Sequence, residues 1–137
     1  MTSPVAIALV ICDSLYQDIP GGKPALVGLF SNITAHRFPA THPRMCVYVA
    51  VTDVKPRTAF RLDVVNAETD AMVAKLEGPP PSDLTPLQIL EMQFDLRNLL
   101  FPSAGVYYIR FWGNNNLILQ RPLELIEIKP KSGEVQQ

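Results

Sequence analysis

"LQILEMQFDLRNLLF", Leu87–Phe101, is the stretch on which the fold class turns. Its Leu, Glu, Met and Gln residues all favour helices. Its spacing does not. Leu90, Met92, Phe94 and Leu96 take every second position, with Glu91, Gln93, Asp95 and Arg97 between them. An amphipathic helix repeats its apolar residues at i, i+3, i+4 and i+7, whereas strict alternation over eight residues marks a strand with one buried face. With this stretch read as a strand, little of the chain is left for helix.

The same period runs through the rest of the sequence. Met45–Thr52 alternates Met45, Val47, Val49 and Val51 against Cys46, Tyr48, Ala50 and Thr52. Thr58–Asn66 alternates Phe60, Leu62 and Val64 against Arg61, Asp63 and Val65. Val5–Cys12, Ala25–Phe30, Ile33–Phe38 and Ala71–Leu76 read as shorter strands. Pro20-Gly21-Gly22, the "PATHP" of Pro39–Pro43 and the "DVKPR" of Asp53–Arg57 break the chain between them. "GPPPSDLTP", Gly78–Pro86, reads as a stiff polyproline connection between sheets. Gly105–Trp112, the turn "GNNN" and Leu117–Ile128 form a hairpin, with Gly and Asn where positive φ is needed. Arg121-Pro122 interrupts its second strand, as a bulge or a sheet edge would.

These elements predict an all-β, antiparallel two-sheet sandwich of seven to nine strands with immunoglobulin-like Greek-key connections. Residues 1–128 form one domain, and 129–137 a flexible tail. The Cys…Trp…Cys spacing of antibody domains is missing, so that likeness is architectural.

Composition narrows the function. A net charge of −1 without any run of like charges argues against nucleic acid and anionic membrane, both of which need clustered Lys and Arg. The apolar run Val5–Cys12 has no basic residue before it and is too short to span a bilayer, so it is expected to be a buried first strand. Cys12 and Cys46 sit in no CxxC and read as partly buried reduced thiols, which fits a cytoplasmic chain; a bridge between their strands would need an oxidising compartment.

No catalytic frame is visible. Cys12, Ser14, His36, His42, Asp13 and Asp18 lie outside any nucleophile elbow or triad pattern. His36 and His42 lack the paired spacing of a zinc site, "NAETDA" is a turn rather than a calcium loop, and Pro20 and Pro24 remove amides that a phosphate cradle requires. No enzyme activity, metal or cofactor is expected.

What remains is a second face. In "GVYYIRFW", Tyr107, Ile109 and Phe111 suit a core, which turns Tyr108, Arg110 and Trp112 outward. If the Thr58–Asn66 strand lies alongside, Arg61 and Asp63 join them, and Asp63 pairs with Arg110. Outer faces of antiparallel sheets are normally polar. Three occupants of this face compete: the chain's own "ALVGLF" or "SLYQDIP" segments as a second small core, another protein or a second copy of the chain, or a sugar or other small ligand stacked on the aromatics.

The pieces Ile11-Cys12-Asp13, Gly22-Lys23, Gly28-Leu29-Phe30 and Arg37-Phe38-Pro39, with the closing "FPSAGVYYIRFWGNNNLILQRPLEL", resemble a small uncharacterised bacterial family, a domain of unknown function. The resemblance runs from about Ile11 to Leu125. It implies a bacterial β-sandwich and brings no activity, ligand or catalytic residue. The expected function is a non-catalytic interaction or assembly module that uses Arg61, Asp63, Tyr108, Arg110 and Trp112, with a carbohydrate- or small-ligand-binding module as the alternative.

Overall fold

The computed structural model describes residues 4–17, 20, 22–78, 85 and 87–129. It has nine strands and, among the described residues, no helix. They are β1 Val5–Gln17, β2 Pro24–Leu29, β3 Asn32–Ala35, β4 Ala40–Thr52, β5 Phe60–Asn66, β6 Met72–Glu77, β7 Leu90–Phe101, β8 Gly105–Gly113 and β9 Asn116–Glu127. One sheet runs β2-β1-β4-β7 and the other β3-β9-β8-β5-β6. Every pairing is antiparallel except β3 with β9, which is parallel and corrects the purely antiparallel expectation. The proposed tail beyond Lys129 and most of the polyproline connection lie outside the described residues.

The two sheets share one core. β4 contributes Met45, Val47, Val49 and Val51, β5 Phe60, Leu62 and Val64, β8 Tyr107, Ile109 and Phe111, and β9 Leu123 and Leu125. Phe60 stacks on Phe111 at 5.1 Å, and Phe101 meets Tyr107 edge-on at 5.0 Å. Tyr107 keeps its hydroxyl satisfied by donating to the Ser103 carbonyl at 2.8 Å.

Leu87–Phe101 resolves as the sequence period says: β7 is a strand, and Leu96 is buried on its inner face. The alternation then reverses, since Leu99 and Phe101 are buried instead of the even-numbered positions. Asn98 takes a positive φ of 53° at the switch. β4 reverses with it, from buried Met45 to half-buried His42 and Ala40, while the β4–β7 register stays intact. Ala40–Pro43 therefore belongs to a strand, not to a loop. Pro43 is tolerated there because β1 pairs with β4 only from Cys46 onward, leaving that end of β4 without a second neighbour.

The larger surprise is the length of β1. It does not stop at Cys12 but runs on to Gln17 and forms a hairpin with β2. Gln17, Gly22 and Pro24 line one surface cleft with Leu90, Glu91 and Gln93 of β7, and Leu15 lines another with Cys46 and Asp95. β4 separates β1 from β7 in the sheet, so the hairpin must fold across the outer face of β4. This explains why Cys12, Cys46 and Ala50 are buried although they point away from the core. Burial pushes both thiols up, and the sulfurs rest against backbone carbonyls, Cys12 near Ser14 and Cys46 near Asp13. Gly28 fits the hairpin through its missing side chain. Its φ is +76°, and a Cβ there would lie 2.5 Å from Asp13 Oδ2.

Tyr48 sits beneath this hairpin and donates its hydroxyl to Glu91. Burial first, and then that carboxylate, push the phenol up to about 12, whereas an unfolded tyrosine titrates at about 10. A folded state that holds its proton more tightly contributes stability fully below pH of about 10 and loses it as pH rises toward the folded value. Urea midpoints measured across this alkaline range fall for the parent chain, and Tyr48→Phe flattens part of the fall. The same fall in both proteins would exclude Tyr48 as its source.

Candidate functional site

The register of β5 against β8 assembles the predicted residues. Arg61 lies opposite Trp112, Asp63 opposite Arg110, and Val65 opposite Tyr108. Side chains on one face of neighbouring strands are the contact unit of a sheet, so all five predicted site residues meet on the outer face of the five-stranded sheet.

Asp63 is the centre of the group. It is 1% exposed, and its carboxylate accepts two hydrogen bonds from Arg110, from Nε at 2.7 Å and from Nη2 at 3.2 Å. A bidentate guanidinium–carboxylate pair is the geometry that offsets the burial of a charge. Arg61 Nε approaches the second oxygen at 3.5 Å as an ion pair. The two guanidiniums also stand over the Trp112 ring, Arg61 at 4.8 Å and Arg110 at 5.0 Å from its centroid. Each such contact contributes about 0.5–1 kcal/mol when exposed and about 2 when desolvated. The expected Asp63–Arg110 pair is thus present, inside a four-residue network.

This network explains why the stripe is only half exposed. Among the described residues neither N-terminal segment covers it. "ALVGLF" and the strand end "SLYQ" both belong to the four-stranded sheet. The second small core exists, but over β4 rather than over the stripe, and this corrects the self-covering expectation.

Around the network the face is mixed: Lys75 lies opposite Asp63, Glu77 opposite Arg61, Gln120 opposite Arg110 and Glu124 opposite Val106, with apolar residues between them. Met72 lies opposite Val65, Pro122 opposite Tyr108 and Leu117 opposite Trp112, with Val106 one step along the same face. Met72, Val106 and Leu117 are 53%, 41% and 45% exposed. At the Trp112 end a cleft of about 340 Å³ opens between the start of β5, the end of β6 and the β8–β9 turn. Arg61, Trp112, Glu77, Asn114 and Asn115 line it. The turn is braced: Asn114 donates its backbone N–H to the Ala59 carbonyl, and its Oδ1 accepts the Ala59 N–H, both at 2.9 Å. The "GNNN" signal marks this turn, with positive φ at Asn114 and Asn115, but nothing local in the sequence ties it to Ala59 or Glu77.

Among the described residues the other candidates do not form a site, and Asp18 lies outside them. Cys12 contacts carbonyls rather than a histidine. His36 is exposed, and His42 lies half-buried in β4 with its ring 5.8 Å from that of Phe30. No cluster of three metal-ligating side chains occurs among the described residues.

Removing Asp63 strands two arginines over an indole. Asp63→Ala is expected to cost about 3 kcal/mol in urea unfolding. Asp63→Ala combined with Arg110→Met should recover most of that loss, because no unpaired charge is left on β8. Additive losses would mean that the pair is not coupled.

A comparison with curated proteins finds no match. Among solved structures, the chain is similar to a β-glucosidase from Listeria innocua in complex with isofagomine, at 8% identity and a TM-score of 0.46. That likeness covers 91% of this chain but only 17% of the other, and at this distance it carries no argument about activity. The model of DUF6941, a family of unknown function, matches residues 7–126, and the chain belongs to that family.

Proposed function

We propose that this chain is a non-catalytic protein-interaction module, and that it docks its partner on the outer face of the five-stranded sheet. One observation carries the reading. Arg61 and Arg110 pair with buried Asp63 and stand over Trp112, and exposed Met72, Val106 and Leu117 share this face with Lys75, Glu77, Gln120 and Glu124, a mixture of apolar anchors and charges. Tyr, Trp, Arg and Met are enriched where proteins bind one another, and anchors ordered before binding lose little entropy on docking. A second copy of the chain or a different protein satisfies this description.

The immunoglobulin-like Greek-key reading belongs with this proposal. It is supported by neighbours that are not consecutive in the chain, β1 beside β4 in one sheet and β5 beside β8 in the other, with β3 parallel to β9. A cytoplasmic location is likewise a proposal, supported by two free, buried cysteines. No helix among the described residues is long and apolar enough to cross a membrane. The sugar-platform alternative is weakened, because the indole that would stack on a sugar ring already carries two guanidiniums.

Sedimentation velocity at micromolar concentration and capture on the immobilised chain test the proposal together. Tyr108→Ala with Met72→Lys leaves the Asp63 network in place and should abolish the dimer, or release the retained partner, by at least about tenfold in affinity. A strict monomer that retains the same proteins as this variant would show that the face recognises nothing.

A further inference from the structure

The register of β1 against β4 sets the two cysteines of the chain directly opposite each other, Cys12 against Cys46. Residues opposed in this way on antiparallel strands have Cα atoms about 4.5–5.5 Å apart and side chains on one face of the sheet. A disulfide spans about 4.4–6.8 Å between Cα atoms. The backbone therefore already holds the two thiols within bridging range. Both are free, and each sulfur rests against the other's strand. Cys12 Sγ lies 3.8 Å from the Cys46 carbonyl, and Cys46 Sγ 3.9 Å from the Asp13 carbonyl.

Cys12 is also the root of the hairpin that covers β4. It is the last residue of β1 that pairs with β4 and the first that pairs with β2. Strand ladders open from their ends, so this is the point from which the hairpin lifts. The cysteines are 0% and 2% exposed, and burial first of all pushes both thiols up and keeps them protonated. Thiol exchange needs a thiolate that its reagent can reach. A seated hairpin shields the pair, and lifting exposes it.

We propose that Cys12 and Cys46 form a reversible cross-strand disulfide, made by exchange with a low-molecular-weight disulfide such as oxidised glutathione when the hairpin lifts, and that the bond then fastens the hairpin to β4. One cysteine thiolate attacks the glutathione disulfide, forms a mixed disulfide and expels one glutathione thiolate. The second cysteine attacks the protein sulfur of that mixed disulfide, closes the Cys12–Cys46 bond and expels the other glutathione thiolate. The two cysteine protons end on the two glutathione thiols, and two electrons pass from the cysteine pair to glutathione. Excess reduced thiol runs the same exchange backwards and restores the free pair.

The test incubates the full chain with oxidised glutathione, in buffer and at urea concentrations just below unfolding, and follows free thiols, intact mass and the urea midpoint. Both thiols should disappear together, and faster in urea, to give a chain lighter by two hydrogens with one bridge from Cys12 to Cys46. The bridge joins residues 34 positions apart. Closing a loop of that length should raise the urea midpoint of the oxidised chain by roughly 1 M, and dithiothreitol should return it to the starting value. Cys12→Ala and Cys46→Ala should each stop at a single glutathione adduct, with their reduced midpoints showing that they are folded. A bridge that lowers the midpoint or leaves it unchanged does not fit the native register and overturns the proposal. Thiols that stay free at every urea concentration below unfolding, a bridging rate indifferent to urea, or glutathione adducts and chain-to-chain links in place of the intrachain bridge overturn it as well.

Discussion

The buried carboxylate of Asp63 fixes how the five-stranded sheet is put together. On the inner side of β5 and β8, Leu62, Val64, Ile109 and Phe111 define the register through the core. On the outer side, Asp63 defines it again through Arg110. A slip of one residue would turn every side chain over and drive Asp63 into the hydrocarbon interior, where an unpaired charge is far more costly than any lost contact. The two faces therefore specify the same pairing for different reasons. The Trp112 stack, the half-buried stripe and the position of the β8–β9 turn all follow from it.

The two sheets solve the problem of an outward face in opposite ways. In the four-stranded sheet, Cys46 and Ala50 are small and apolar and could not satisfy a solvated face, so the chain folds its own β1–β2 hairpin across them. In the five-stranded sheet, the outward side chains are long and charged or aromatic, and they cover one another. The family-resembling pieces Ile11-Cys12-Asp13, Gly22-Lys23 and Gly28-Leu29-Phe30 all fall on or beside the covering hairpin. Those residues therefore have a structural task in the layer over β4. The stripe on the opposite side has no equivalent cover from the hairpin and is left to present itself outward.

Much of this was legible because alternation is a local signal. Tyr107, Ile109 and Phe111 could be assigned to the core, and Arg61, Asp63, Arg110 and Trp112 to one outer face, from period-two spacing alone. The Asp63–Arg110 pair needed one further assumption, that β5 neighbours β8, and the register bears it out. What escaped was non-local. Ser14–Gln17 lies beyond the apolar run that marks the first strand, and only its pairing with β2 makes it part of that strand. Cys46, Tyr48 and Ala50 could be placed on the face opposite the core, but nothing near them in sequence announces the hairpin above. The reversal at Asn98 escaped for a similar reason. Its positive φ is matched by a change of face in β4 near Pro43, and two strands that switch together leave no mismatch for a single-strand pattern to reveal.

The edges of the sheets differ in how they are protected. A bare edge strand invites pairing with any other strand, and most edges here are blunted. β3 has only four residues, β6 carries Lys75 and a register irregularity, and β7 carries Glu91, Asp95 and Arg97. β9 is covered by β3 only from Glu124 onward. In the uncovered part Arg121 lies opposite fully buried Ile109, a charge at an inward-facing position, and Pro122 beside it lacks an N–H to donate. This pair interrupts the apolar pattern of the last strand, and both residues are established devices against edge-to-edge association. β2 lacks such charges, but Gly28 breaks its extended backbone. Strand addition is thus discouraged at β3, β6, β7 and the uncovered part of β9, whereas β2 has only Gly28 against it and exposes Val27 and Leu29. On the outer face around Trp112, by contrast, the side chains engage one another through Asp63 and the two arginines.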